Sequence, residues 1–512
     1  MSTPRHLTGV RAAAAARVRR LLQQPTARRR ARRLGWDQPG TPATFTSTRQ
    51  AVALWPALAP THPPVTGWLQ GHDLLTRQPV TASPRGLYGA GLITAPGTLV
   101  SGDVGTGKSS LIKENLLRAT ATGERAAVFD RKRQSQAGAA AGEYGPLAQV
   151  VGGTVIRFDR DRTVGTRVNI LDPAITTIGG EDSMVGQDEL LVLVATEAKG
   201  ADLSPQERWA LAAAHRAAIS RARAAGRVAV LGDVVTALYA PDPDSVPGPR
   251  DPAAGAPVLD HTGLVDTTEV TRWGLTLALA LERLIQGDLS GILDGPTEGP
   301  DGQPLDLDAP LLVIDTSALP ESSAALGLVM AVMTTFLMSR WVTVPGYKHV
   351  VVEEGYSADG LGAVPSMFRT LAKRSRGVGV SIWSVFHHVS DVAPGSPLTA
   401  LIRETELAFI FRQSKPEDAQ MIVDLLGLPE PVTDLLMQLG RGQYLLHRGR
   451  RLAPTLVAQF WTPLEQRITD TDTAMTPTPL PGSPAPGTST SQARTADETG
   501  TPVPEPGAGR QL

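Results

Sequence analysis

"TLVSGDVGTGKSSLIKENLLRAT", Thr98 to Thr120, decides how the rest of the chain is read. An apolar run, a glycine-rich loop and a helix-forming stretch follow one another without a gap. Within it Gly102, Gly107, Lys108 and Ser109 match G-x-x-x-x-G-K-[ST]. Glycines let such a loop wrap so that backbone N–H groups point inward at phosphate oxygens. Lys108 adds a point charge for β- and γ-phosphates, and Ser109 offers a hydroxyl to Mg²⁺. The following helix turns its positive end on the same anion. The strand before and helix after separate a phosphate loop from an ordinary glycine-rich turn. Gly102, Asp103, Val104, Gly105, Thr106, Gly107, Lys108, Ser109 and Ser110 are therefore candidate contacts for ATP, with Mg²⁺ beside Ser109.

Working outward, apolar runs alternate with amphipathic helices from about residue 90. "RAAVFDRK", "TVIRFDRD", "LLVIDTS", "KHVVVEEGY", "VGVSIWSVFHH" and "LAFIFRQ" read as strands. This pattern predicts an α/β fold with a mostly parallel sheet and helices on both faces. Residues 181–297 break the alternation. Their apolar spacing is helical, as in "PQERWALAAAHRAAISRARAA", which predicts an all-α insertion. The ATPase-like domain is thus expected over residues 86–180 and 298–465.

The flanks differ in composition. Residues 1–40 form a basic arm, with ten arginines before the first acid, Asp37. Residues 41–85 read as a Pro/Thr-rich lead-in. Residues 466–512 are rich in Pro, Thr, Gly and Ser, cannot offset the entropy of ordering, and are expected to be disordered. The net charge of −1 excludes a chain that binds polyanions over its whole surface. The absence of cysteine excludes disulfides and thiolate metal sites and fits a reducing cytoplasm. The uncharged stretch Ser322 to Ser339 is near the minimum for a membrane span. It lies between two strand-like runs, so a buried crossover helix is the expectation, with no transmembrane segment.

Two apolar runs end in acids: Asp315 closes "LLVID", and Glu353 and Glu354 close "HVVVEE". Phosphoryl-transfer sites of this kind use a strand-end acid for Mg²⁺, and hydrolysis needs a carboxylate to activate water. Successive strand residues point in different directions, so a pair supplies both groups. Glu353 is assigned to the Mg²⁺ shell through water and Glu354 to the general base. Asp315 is an alternative metal ligand at the same sheet edge, or a cap for the next helix.

The order of the phosphate loop, "FDRK…GEYGPLA", "RVNILDP", the helical insertion, "LLVIDTSAL", "VVVEEGY" and "LAKRSRGVGVSIWSVFHHVSD" resembles the type IV secretion and conjugative-transfer ATPases of the HerA–FtsK superfamily. The resemblance covers residues 92–461. It implies a RecA-like motor working as a homo-oligomer, a hexamer, at the cytoplasmic face of a membrane-embedded transfer apparatus. It also implies a γ-phosphate-sensing group after the next strand, here His387 or His388, and an arginine acting on a neighbour's nucleotide, here Arg374 or Arg376. Here "RKRQSQAGAA" interrupts the stretch between Asp130 and Glu143. Three functions stand open: a motor for assembly or transport, a pump acting directly on DNA, and a low-turnover nucleotide switch. The arginine arm suits DNA or anionic lipid. Deleting residues 1–36 should leave nucleotide binding intact and weaken sedimentation with anionic vesicles, the difference vanishing at high salt.

Overall fold

The computed structural model describes residues 65–136, 139–161, 163–173, 185–242, 266–287, 289–320, 324–353, 377, 379–392 and 402–469. The basic arm, the tail beyond 469, Glu354, Arg374 and Arg376 lie outside the described residues.

Strands of the main sheet are β1 (Trp68–Asp73), β2 (Pro79–Ala82), β3 (Thr98–Ser101) and β4 (Arg125–Asp130). A small hairpin, β5 (Arg133–Gln136) with β6 (Ala139–Gly142), stands apart. The sheet continues with β7 (Thr154–Arg157), β8 (Leu311–Asp315), β9 (Lys348–Val352) and β10 (Val380–Phe386). It ends with β11 (Leu407–Ile410), β12 (Gln443–Arg448) and β13 (Thr455–Gln459). The eleven strands lie in the order β2-β1-β13-β12-β11-β3-β10-β9-β4-β8-β7. From β11 to β7 every neighbouring pair is parallel; from β11 to β2 every pair is antiparallel. β3, β8, β9 and β10 are buried at every residue, which is why they read as unbroken apolar runs.

The sheet begins earlier than the sequence division placed it. β1 and β2 fall within the predicted lead-in of residues 41–85 and pair at the antiparallel edge. Pro79 opens β2 at that edge, the position where a strand tolerates proline. The Pro/Thr content that marked a linker marks an edge here.

Helices α1 (Pro84–Gly89), α2 (Lys108–Ala121) and α3 (Gly145–Val151) cover one face. The insertion supplies α4 (Val185–Lys199), α5 (Pro205–Ala224), α6 (Leu231–Tyr239) and α7 (Thr267–Gln286). Local signals set these helices. Ser204 and Glu207 form a capping box before α5, Pro205 occupies its first turn, and Asp266 caps α7. Helix α8 (Ala324–Thr343) links β8 to β9, and α9 (Pro416–Leu426), α10 (Val432–Gln438) and α11 (Pro463–Thr469) follow later in the chain. Its Val329, Met333 and Phe336 belong to a cluster that joins Ile314 and Val352 of the sheet to Leu190 and Val194 of α4. α8 is therefore a middle layer, apolar toward the sheet and toward the insertion. That explains its hydropathy: among the described residues, no helix is long and apolar enough to cross a membrane.

"RVNILDP" stitches the insertion to the sheet. Arg167 and Glu298 exchange backbone hydrogen bonds at 2.9 and 3.1 Å. Buried Asn169 donates to the Ala229 carbonyl (2.7 Å), accepts from the Leu171 N–H (3.0 Å) and takes the Thr297 hydroxyl as acceptor for its own N–H (3.1 Å). Gln187 of α4 donates to the Leu171 carbonyl at 2.9 Å. Asn169→Ala strips partners from two buried backbone groups. It should cost about 1–3 kcal/mol per group, read as a lower urea midpoint with an unchanged slope.

Candidate nucleotide-binding site

The loop between β3 and α2 has the backbone of a phosphate cradle. Gly102, Gly105 and Gly107 have φ of 152°, 76° and 114°. A Cβ on Gly102 would lie 2.5 Å from Cβ of Phe411, so only glycine fits against β11's end. Gly107 precedes α2 in the left-handed region and brings no side-chain cap. The first N–H groups of α2 are thus directed at whatever anion the loop holds. Lys108 is 5% exposed and donates through Nζ to the carbonyls of Gly102 (2.5 Å) and Asp103 (2.7 Å). Ser109 and Ser110 are half-buried in the first turn, while Val104 at the loop tip is exposed.

Other loop residues brace the cradle. Thr106 donates to the Asp103 carbonyl (2.7 Å), and the Gly442 N–H donates to the Thr106 carbonyl (2.9 Å). The Asp103 carboxylate accepts from the N–H and hydroxyl of Ser414, both at 3.2 Å, and lies 3.6 Å from Arg412. It ties the loop to the chain after β11.

The strand order places the strand-end groups. β10, carrying His387 and His388 just beyond its end, adjoins β3, and β9, followed by Glu353, comes next. At strand spacings near 4.8 Å, Glu353 is displaced laterally from the β3 line by about 10 Å. Asp315 closes β8, four strands from β3 and displaced by about 19 Å. Its carboxylate accepts N–H groups of Gly142 (3.1 Å) and Ser317 (2.9 Å). Asp315 thus anchors the adjoining loops, with β4 and β9 between it and β10. Of the two histidines, His388 lies 2.9 Å from buried Asp418 of α9 (Pro416–Leu426), which also accepts the Ser390 N–H at 3.0 Å. His387 is half-buried at the edge itself.

Glu353 stands in a knot of charge. The Tyr144 hydroxyl donates to its Oε1. The Tyr144 N–H donates to Asp130 (2.9 Å), and Lys113 of α2 pairs with Glu143 at 2.7 Å, both almost fully buried. Burial, then Glu143, pushes the Glu353 carboxyl up to about 7. Burial, then Glu353, raises Asp130 well above the usual carboxylate range. Burial lowers Lys113 against the pull of Glu143. Among the described residues no group of three or more acids and histidines is arranged to hold a metal ion. One hydroxyl and one carboxylate suit Mg²⁺, which takes few protein ligands and completes its shell with phosphates and water.

Sequence reading left the "GEY" stretch without a role and missed the partners of α2. Asn115 and Gln70 of β1 bond as side chains (2.6 Å), Gln459 of β13 donates to Glu114 (2.8 Å), and Arg118 pairs with Glu114 and with Glu465 (2.8 Å) of α11 (Pro463–Thr469). The signal was present: Lys113, Glu114 and Asn115 are consecutive, so polar groups occupy several faces of a helix that the fold must bury.

A parallel sheet with a phosphate loop at the carboxyl end of a central strand defines a RecA-like P-loop fold. In fold the chain is similar to VirB4 of Thermoanaerobacter pseudethanolicus, with a TM-score of 0.57 and 19% identity over 79% of this chain and 99% of that one. It is less similar to the plasmid coupling protein TrwB in complex with ADP and Mg²⁺ (TM-score 0.44, 13% identity, 72% of this chain and 86% of that one). No family model and no curated protein matches the chain.

Burial, opposed by Arg118, pushes the Glu114 carboxyl from 4.5 up to about 8. Between those values the folded chain keeps a proton that the unfolded chain has released. Stability from this group should therefore fall as pH rises from 4.5 to 8 and level off above. Glu114→Gln should flatten that fall, as measured by urea midpoints across pH.

Proposed function

We propose that the chain is an ATP-hydrolysing motor of a conjugative, type IV secretion-like transfer apparatus. The observation that carries the nucleotide part is the cradle itself: an uncapped α2, three glycines at positive φ, and a buried Lys108 across the loop mouth. The fold held in common with VirB4 and the motif order of the sequence support the motor class.

In this reading Lys108 neutralises β- and γ-phosphates, and α2 adds its N-terminal N–H groups. Ser109 and, through water, Glu353 hold Mg²⁺, which would screen the phosphate charge. Glu354, the next residue after Glu353, withdraws a proton from the attacking water. His387, just beyond the carboxyl end of β10, is the γ-phosphate sensor. Arg374 acts on a neighbour's nucleotide in a hexameric ring at the cytoplasmic face of the membrane, docked on membrane-embedded partners. The arginine arm contacts anionic lipid.

ATP turnover with and without single- and double-stranded DNA tests this. Hydrolysis should be abolished by Lys108→Ala. Glu354→Gln should bind ATP and lose on the order of a hundredfold in turnover. Asp315→Asn should stay closer to wild type. Strong stimulation by DNA would instead identify a pump that acts on DNA, and binding without turnover would identify a nucleotide switch.

A further inference from the structure

Glu353 is one methylene longer than an aspartate in the same place. The extra rotatable bond spreads the positions its carboxylate samples, and ordering it costs entropy. A strand-end acid that serves a metal shell must be held. The described residues give Glu353 one hydrogen bond, from the phenol of Tyr144 to Oε1.

Tyr144 is well placed to hold it. The residue is fully buried at the entry to α3. Its backbone N–H is fixed on Asp130 at 2.9 Å, at the end of the strand beside β9. Its ring lies under the ammonium of Lys113, 5.5 Å from the centroid. Lys113 belongs to α2, the helix that begins at Lys108, and pairs at 2.7 Å with Glu143, the residue before Tyr144. A continuous set of contacts thus runs from the phosphate-loop helix through Lys113, Glu143 and Tyr144 to the strand-end acid. A buried phenol needs some acceptor. Here the acceptor is an acid that follows directly on β9, the second strand from β3.

We propose that Tyr144 is a positioning residue for the nucleotide site: its hydroxyl fixes one oxygen of Glu353, leaving the other for the Mg²⁺ shell. The proposal rests on the nucleotide reading above. It gives the "GEY" stretch a role despite the interruption that precedes it. The intervening residues leave the sheet as the β5–β6 hairpin, and the chain returns with Glu143 and Tyr144 beside Asp130.

Tyr144→Phe keeps the ring and removes only the hydroxyl. Three quantities separate positioning from simple packing in the full chain: ATP affinity without metal, Mn²⁺ affinity of the ATP complex by electron paramagnetic resonance, and kcat against KM. We expect metal-free ATP affinity and KM to hold, while Mn²⁺ affinity and kcat fall about tenfold, the low end for loss of a group that orients a metal-shell residue. In a Glu353→Gln background the same change should add no further loss, since its route is gone. Glu353→Asp, too short to meet the phenol, should lose Mn²⁺ affinity similarly and be insensitive to Tyr144→Phe. Unaltered Mn²⁺ affinity and kcat in Tyr144→Phe would overturn positioning, as would an equal loss in the Glu353→Gln background. If the wild type hydrolyses ATP and Lys108→Ala does not, that failure leaves the motor reading standing. A wild-type protein that binds no nucleotide overturns both.

Discussion

A side-chain cap on α2 would compete with an anion for one of the helix's first N–H groups. Gly107 settles that conflict in favour of the anion. The helix must then be held along its length. Its neighbours do this with polar contacts: Lys113 to Glu143, Asn115 to Gln70, Glu114 to Gln459, and Arg118 to Glu465. These partners come from β1, the start of α3, β13 and α11. Segments from both ends of the described chain therefore converge on one helix, and the antiparallel extension of the sheet exists where it can reach α2.

The same constraint accounts for the crowding of acids at the carboxyl edge. Parallel strands direct all their ends to one side, so Asp130, Asp315 and Glu353 gather on a single edge. Each carboxylate there takes a different counterweight. Asp315 has the N–H groups of Gly142 and Ser317; Asp130 has those of Lys132 and Tyr144; Glu143 has Lys113. Glu353 has a neutral phenol, and burial raises its carboxyl to about 7. Among the described residues its hydrogen-bond donor is that phenol, with Lys113 and Lys132 acting on it only through space.

On the opposite face the problem is one of thickness. The sheet, α8 and the insertion form three stacked layers, and the middle one buries apolar side chains toward both of the others. A helix in that position reads as apolar on more than one face while still falling short of a membrane span. Asn169 and its neighbours close the seam at the insertion's two ends, where a loop would otherwise bury unpaired backbone groups.

The phosphate loop, the alternation of strands with helices and the helical insertion were legible in the sequence because each is written in contiguous residues. Loop glycines, period and caps act over a few positions. The edge strands β1 and β2 were hidden, since Pro and Thr mark an exposed edge and a linker alike. Strand order was not legible at all. Nothing in "LLVID" or "HVVVEE" says which lies nearer to β3, and only crossovers through α8 put β9 second and β8 fourth. Likewise nothing near His388 in the sequence announces Asp418, thirty residues beyond it and 2.9 Å away in the fold. Tyr144 and Glu353 are 209 residues apart. Which acid stands near the loop, and what holds it there, is decided by packing between distant segments, and packing between distant segments has no local signature.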